Sequence, residues 1–228
     1  MPSLKAVWCE KPLATSLADA ETMVAAVAAR RLPMLVTYNR RWLPIYRKVR
    51  QLIGEGAIGD LVCLRVASTN RLFSIGSHAL DLIRFLAGEP VSVMAHPLPQ
   101  LRQTDEPAAA AMFGFASGAY GIHQITGFRE QLIIEAEAIG RKGRLTVRED
   151  TSKLTIEKFA RHPDYENYQQ LKPAGEGRYP TAAQVSVFVE AAKEIATLAR
   201  DPSSPCTSDG ASALATQRLI ELIASLSR

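Results

Sequence analysis

The chain has 228 residues, 47% of them apolar and 22% charged, with a net charge of +4. A chain of this length and balance buries a core without disulfides or a structural metal, and disordered or fibrous classes are excluded. Its cations are scattered or come in short pairs such as Arg30-Arg31 and Arg47-Lys48, which argues against a nucleic-acid partner.

Cys9, Cys63 and Cys206 are odd in number and far apart, so they form neither a zinc motif nor a disulfide framework, and a reducing cytoplasm fits them. The histidines and carboxylates show no HExxH-type spacing, so no metal is expected. Met1 to Pro12 lacks a cationic start followed by an apolar stretch, and no apolar run nears the ~20 residues of a bilayer span. No membrane partner is expected.

Leu4 to Trp8 reads as a short buried strand. Ser16 and Asp19 have the spacing of a capping box, and Leu17, Ala20, Val24 and Val27 recur on one helical face. Met34 to Tyr38 is a second strand, so residues 1–42 predict one βαβ crossover with parallel strands. Pro44 opens another helix with the stripe Ile45, Val49, Leu52 and Ile53. Gly54, Gly56 and Gly59 then mark its end and the next turn.

Beyond Asp60 the texture changes. Leu61–Thr69 reads as a strand and Gly76–Leu86 as a helix. Strand candidates follow at Val91–His96, Ala108–Phe115, Ala119–Thr126, Gln131–Ala138, Arg144–Arg148 and Lys153–Phe159. Ser117-Gly118 and Lys142-Gly143 are hairpin turn signals. Arg161 to Tyr179, polar and proline-containing, reads as a loop or lid. Helices at Thr181–Arg200 and Ser208–Leu226 close the chain. The expected class is α+β: a βαβ piece, then a domain over 43–228 with a large, mostly antiparallel sheet covered by helices on one face.

Several short motifs occur in one order: Glu10-Lys11-Pro12, Thr37-Tyr38-Asn39-Arg40-Arg41-Trp42, Gly54–Gly59, Gly76-Ser77-His78-Ala79-Leu80-Asp81 and Gly88-Glu89-Pro90-Val91. Ser208-Asp209-Gly210 precedes the last helix. Together they resemble the GFO/IDH/MocA oxidoreductase family over nearly the whole chain. The resemblance implies NAD or NADP as cofactor, with Glu10, Lys11 and Pro12 beside the nicotinamide. The family's GxGxxG segment, which precedes its EKP motif, has no counterpart here, because the Gly54–Gly59 cluster follows a helix rather than a strand. The chain is therefore expected to carry only part of the dinucleotide-binding domain and not to bind the dinucleotide tightly by itself.

The same resemblance implies that Lys11 hydrogen-bonds the substrate hydroxyl and that His78 takes its proton. The family usually has an Asp four residues before this histidine. Ser74 stands there instead, a candidate substrate-binding residue whose hydroxyl can hydrogen-bond a substrate but cannot stabilise an imidazolium as a carboxylate does. Tyr38, Asn39 and Arg40 are candidate pocket residues just past the second strand; for Arg40 and Arg41, interdomain ion pairs fit equally well. Asp81, one turn beyond His78, is a candidate substitute for the missing carboxylate, although capping or pairing with a cation suits it better. His123 reads as structural.

Three functions fit these residues. The first is a dehydrogenase or reductase of a sugar, cyclitol or related hydroxyl compound. The second is a cofactor-independent isomerase, epimerase or lyase using Lys11 and His78, and the third is a non-catalytic interaction subunit. An unpaired edge on the first strand and the broad sheet both predict a homodimer or higher oligomer.

Overall fold

The computed structural model describes residues 4–69, 72–101, 107–126, 132–181 and 184–227. Its N-terminal unit is β1 (Val7–Cys9), α1 (Leu17–Ala29) and β2 (Met34–Val36), with β1 and β2 parallel and Cys9 opposite Val36. Ser16 caps α1 by accepting from the Asp19 amide at 3.1 Å, which satisfies one of the four amides that a helix start leaves orphaned. The far edge of β2 is covered: Leu35 bridges Asp209, and the Val36 amide donates to the Ser208 carbonyl. Among the described residues β1 pairs with β2 alone.

A 3-10 helix at Asn39–Trp42 leads into α2 (Pro44–Gly54), where Pro44 occupies the first turn. Then come β3 (Leu61–Ser68), α3 (Ile75–Ala87), β4 (Pro90–Pro97), β5 (Ala109–Phe115), β6 (Tyr120–Ile125), β7 (Ile134–Gly140), β8 (Gly143–Arg148), β9 (Lys153–Arg161), β10 (Gln169–Arg178), α4 (Val187–Arg200) and α5 (Gly210–Leu226). Eight of these strands form one sheet in the order β10-β9-β8-β7-β3-β6-β5-β4. Only β3 and β6 pair in parallel. The α+β architecture with a mostly antiparallel sheet is as the sequence predicts.

Alternation along each strand divides the sheet's faces. Leu64, Val66, Phe113, Ala136, Ala138, Leu145 and Val147 are buried against α3, α5 and their neighbours in the main core. The opposite face carries a ladder from Arg65 to Glu137 (3.8 Å), Glu137 to Arg144 (3.3 Å) and Arg144 to Glu157 (2.7 Å). Toward β4 that face turns apolar, with Met94 directly opposite Met112 and Met112 opposite Ile122. A second cluster joins Leu13, Ala20, Met34, Val36 and Tyr38 to Ala213 and Leu214 of α5. The last helix thus fastens the βαβ piece to the sheet domain.

One segment departs from expectation. The stretch read as a loop or lid over Arg161–Tyr179 is mostly strand: β9 runs to Arg161, and Gln169–Arg178 pairs with it as the outermost strand. An edge strand tolerates polar residues and proline, and the register shifts between Pro173 and Gly175, where the missing proline amide costs little. His96, the last residue of the expected Val91–His96 strand, lies within β4. The helix expected from Thr181 begins at Val187, capped by Ser186; residues 182–183 and the start of the expected Gln131 strand lie outside the described residues.

Candidate active site

Because β1 and β2 run parallel, both leave the small sheet at the same edge. Residues after β1 (Glu10, Lys11, Pro12) and after β2 (Thr37 to Arg41) therefore emerge side by side. Two bonds fix that edge: the Thr37 amide donates to the Cys9 carbonyl at 3.0 Å, and Trp8 Nε1 donates to Thr37 Oγ1 at 2.7 Å. Strand ends of this kind are where open parallel sheets place ligands.

The Lys11 ammonium donates to the Ser74 carbonyl at 2.8 Å. Ser74 is the residue before α3, its own side chain makes no capping bond, and its carbonyl also accepts from Ser77 Oγ at 2.6 Å. Lys11 is thereby pinned to the start of α3, one turn from His78. It meets the Ser74 backbone rather than its hydroxyl.

His78 is buried, and its Nδ1 has no hydrogen-bond partner. Burial, then the positive charges of Arg40 and Lys11, hold its pKa well below the usual 6.5, so the ring is neutral near pH 7. Its ring meets Tyr38 edge-on, with centroids 6.0 Å apart at 85°. Tyr38 Oη is likewise buried without a partner, and burial raises its pKa. Buried polar atoms are nearly always satisfied. His78 Nδ1 and Tyr38 Oη are two such unsatisfied atoms, on adjoining rings.

The other candidates sit differently. Glu10 and Pro12 are exposed. Asn39 accepts from Arg40 at 3.2 Å, while Arg40 itself pairs with Glu149 through contacts of 2.9 and 3.4 Å. Glu149 also accepts from the Tyr46 hydroxyl at 2.8 Å. It is 109 positions from Arg40, in the turn after β8, and no local pattern singles it out. Asp81 lies in the interior, its oxygens taken by Arg41, Thr216 and Arg84. The structure brings together Lys11, Ser74, His78 and Tyr38, and makes Asp81 a strut beneath them. His123 is fully buried on β6, sharing a 2.8 Å hydrogen bond with Ser68 Oγ.

A dinucleotide needs converging backbone amides for its pyrophosphate as well as a place for its nicotinamide. Glu10, Lys11 and Pro12 supply a strand end for the second. For the first, the described residues offer no glycine-rich strand-to-helix turn: α1 is closed by the Ser16 side chain, and Gly54–Gly59 runs from α2 into β3. The described residues therefore do not fit the phosphates of the cofactor. They contain no group of three or more His, Cys, Asp or Glu arranged for a metal.

Residues 68–146 match the GFO/IDH/MocA C-terminal domain. Over 189 residues the chain is 26% identical to myo-inositol 2-dehydrogenase from Thermotoga maritima, spanning 71% of this chain and 55% of that protein. Over 104 residues it is 36% identical to D-apiose dehydrogenase from Paraburkholderia graminis, spanning 38% of this chain and 28% of that protein. The chain thus spans about half the length, or less, of these relatives. An Agrobacterium radiobacter oxidoreductase solved with NAD+, L-tartaric acid and magnesium shares the fold, at a TM-score of 0.71 and 21% identity over 98% of this chain and 72% of that one.

Proposed function

We propose that the chain is a member of the GFO/IDH/MocA oxidoreductases, whose C-terminal domain residues 68–146 match, and that it carries the substrate-binding and proton-handling part of a dehydrogenase acting on a secondary hydroxyl of a sugar or cyclitol. The observation that carries this reading is the 2.8 Å bond from Lys11 to Ser74, which sets an ammonium at the start of the helix that holds His78. The names of the inositol and apiose dehydrogenases point to the substrate class.

In this reading the substrate hydroxyl enters between Lys11 and His78. The neutral imidazole accepts the hydroxyl proton, and the ammonium donates to the same oxygen as negative charge develops on it. NAD or NADP, when bound, accepts the hydride. Tyr38 Oη supplies a hydrogen bond to a neighbouring hydroxyl, ending its isolation. Glu10 and Pro12 shape the nicotinamide end, and Asn39 and Arg40 line the approach. Ser74 contributes its carbonyl, which holds Lys11. A reducing cytoplasm suits the free thiols of Cys9, Cys63 and Cys206.

A second reading has one specific support. The Lys11–His78 pair is assembled while the described residues lack a phosphate cradle, as in an epimerase or isomerase working by proton transfer alone. The apolar outer stretch around Met94, Met112 and Ile122 also supports association of two copies through the open sheet face.

The test is saturation-transfer NMR with myo-inositol and D-apiose, followed by nicotinamide reduction at millimolar NAD+ or NADP+. Polyol binding that His78→Ala abolishes, with reduction lost in Lys11→Met, is the expected result. Polyol signals unchanged in His78→Ala would overturn the site. Exchange of substrate carbon-bound hydrogen with D2O in the absence of dinucleotide would favour the proton-transfer reading.

A further inference from the structure

Outside the proposed active site, a cavity of about 570 Å³ opens between α2, the C-terminal half of α3 and the segment entering α5. Neither Lys11 nor His78 borders it. Its walls include Arg41, Arg47, Arg50, Phe85, Cys206 and Thr207, so three guanidinium groups face one space.

Arg41 is neutralised by Asp81 and anchored by the Thr207 carbonyl at 3.0 Å. Arg47 and Arg50 are different. Both project from α2 three positions apart, a spacing that places like charges together on one helix face and destabilises it slightly. Among the described residues no carboxylate lies within 4.0 Å of either guanidinium. Glu190, the acid on which Arg47 exerts a field, pairs instead with Lys193 at 2.7 Å.

Nor are these two side chains loose. Arg47 Nε donates to the Arg41 carbonyl at 3.0 Å, leaving its two terminal nitrogens uncommitted among the described residues. The Arg50 guanidinium lies over the Phe85 ring, 4.4 Å from its centroid, while Arg41 lies 5.4 Å from the same centroid. Stacking holds the fork in place without using its N–H donors. Two anchored, acid-free forks match an anion of two charges presenting several oxygens. The cavity is of the size that takes an organic ligand of roughly 300–1,000 Å³ class rather than a bare ion, and Phe85 and Cys206 border it.

We propose that this cavity binds a phosphorylated small molecule, the phosphate held between Arg47 and Arg50 and the organic body lying toward Phe85 and Cys206. The site is separate from the Lys11–His78 pocket and does not depend on the reaction assigned there.

Calorimetry at low ionic strength with ribose 5-phosphate, inorganic phosphate and unphosphorylated ribose tests it. Ribose 5-phosphate is expected to bind, inorganic phosphate to compete more weakly, and ribose not to displace ribose 5-phosphate. The Arg47→Ala/Arg50→Ala double variant, its fold checked by circular dichroism, is expected to bind at least about tenfold more weakly, since one charge-assisted contact accounts for that much. Lys11→Met is expected to bind like the wild type. No saturable binding up to about 10 mM, equal affinity in the double variant, or loss of binding in Lys11→Met overturns the proposal.

Discussion

Arg41 and Asp81, forty positions apart, meet through two hydrogen bonds of 2.8 and 2.7 Å in the interior, where Asp81 is 1% exposed. One comes from the 3-10 helix after β2, the other from the middle of α3. Their ion pair holds the segment that follows β2 against the helix carrying His78. Arg84 and Thr216 complete the network, and Arg84 reaches on to Glu89.

Asp81→Asn is therefore expected to destabilise the protein by about 3 kcal/mol, because it leaves the buried Arg41 guanidinium without its carboxylate, while Arg84 keeps Glu89. Arg41→Lys is expected to recover little, since an ammonium cannot make the paired contact. Urea denaturation monitored by circular dichroism measures both. A loss under about 1 kcal/mol in Asp81→Asn would show that the pair is not holding the two units together.

Two tyrosines predict opposite signs for the same change. Tyr46 donates to Glu149 at 2.8 Å, so Tyr46→Phe is expected to cost about 1–2 kcal/mol. Tyr38 Oη is buried with no partner, so Tyr38→Phe is expected to leave the ligand-free protein as stable or up to about 1 kcal/mol more stable. It is also expected to raise KM for the polyol with a smaller effect on kcat. Thermal melts and steady-state kinetics together separate the two roles.

Acid stability follows from the buried histidines. Burial lowers the His123 pKa from 6.5 to about 4. The unfolded chain therefore binds a proton that the fold refuses between those values. Stability is complete above pH 6.5 and falls as pH drops through that window, by about 3 kcal/mol in all. His78 is shifted in the same direction and adds to the slope. Denaturation midpoints at intervals from pH 7 to pH 4 measure it, and His123→Gln is expected to flatten the curve.

If His78 is the proton acceptor, the same burial sets its pH–rate profile. The neutral ring is the working form, so the acid limb of kcat/KM is expected to have its midpoint below 6.5. A midpoint at or above 6.5 would assign the base elsewhere.

On the open sheet face, Met94 and Met112 stand opposite each other, 72% and 48% exposed. Met94→Glu/Met112→Glu is expected to convert a dimer to monomer in light scattering while circular dichroism stays unchanged, because both side chains lie outside the core. A wild type that is monomeric at high concentration removes this prediction's premise.

Much of this molecule is written locally. The Ser16 cap, the Pro44 helix start, the alternation of β7 and the order of the EKP, YNRRW and GSHALD motifs depend on neighbours in the chain, so the α+β class and the Lys11 and His78 candidates are legible without coordinates. Other features depend on which distant groups share an interior. Glu149 beside Arg40, Asp81 taken up by Arg41, Ser74 offering its carbonyl, and Gln169–Arg178 serving as an edge strand all arise from contacts between separate elements. Local periodicity records which face of an element is apolar. It carries no record of which charge lies across the fold, and burial makes those partners decide what each polar side chain is free to do.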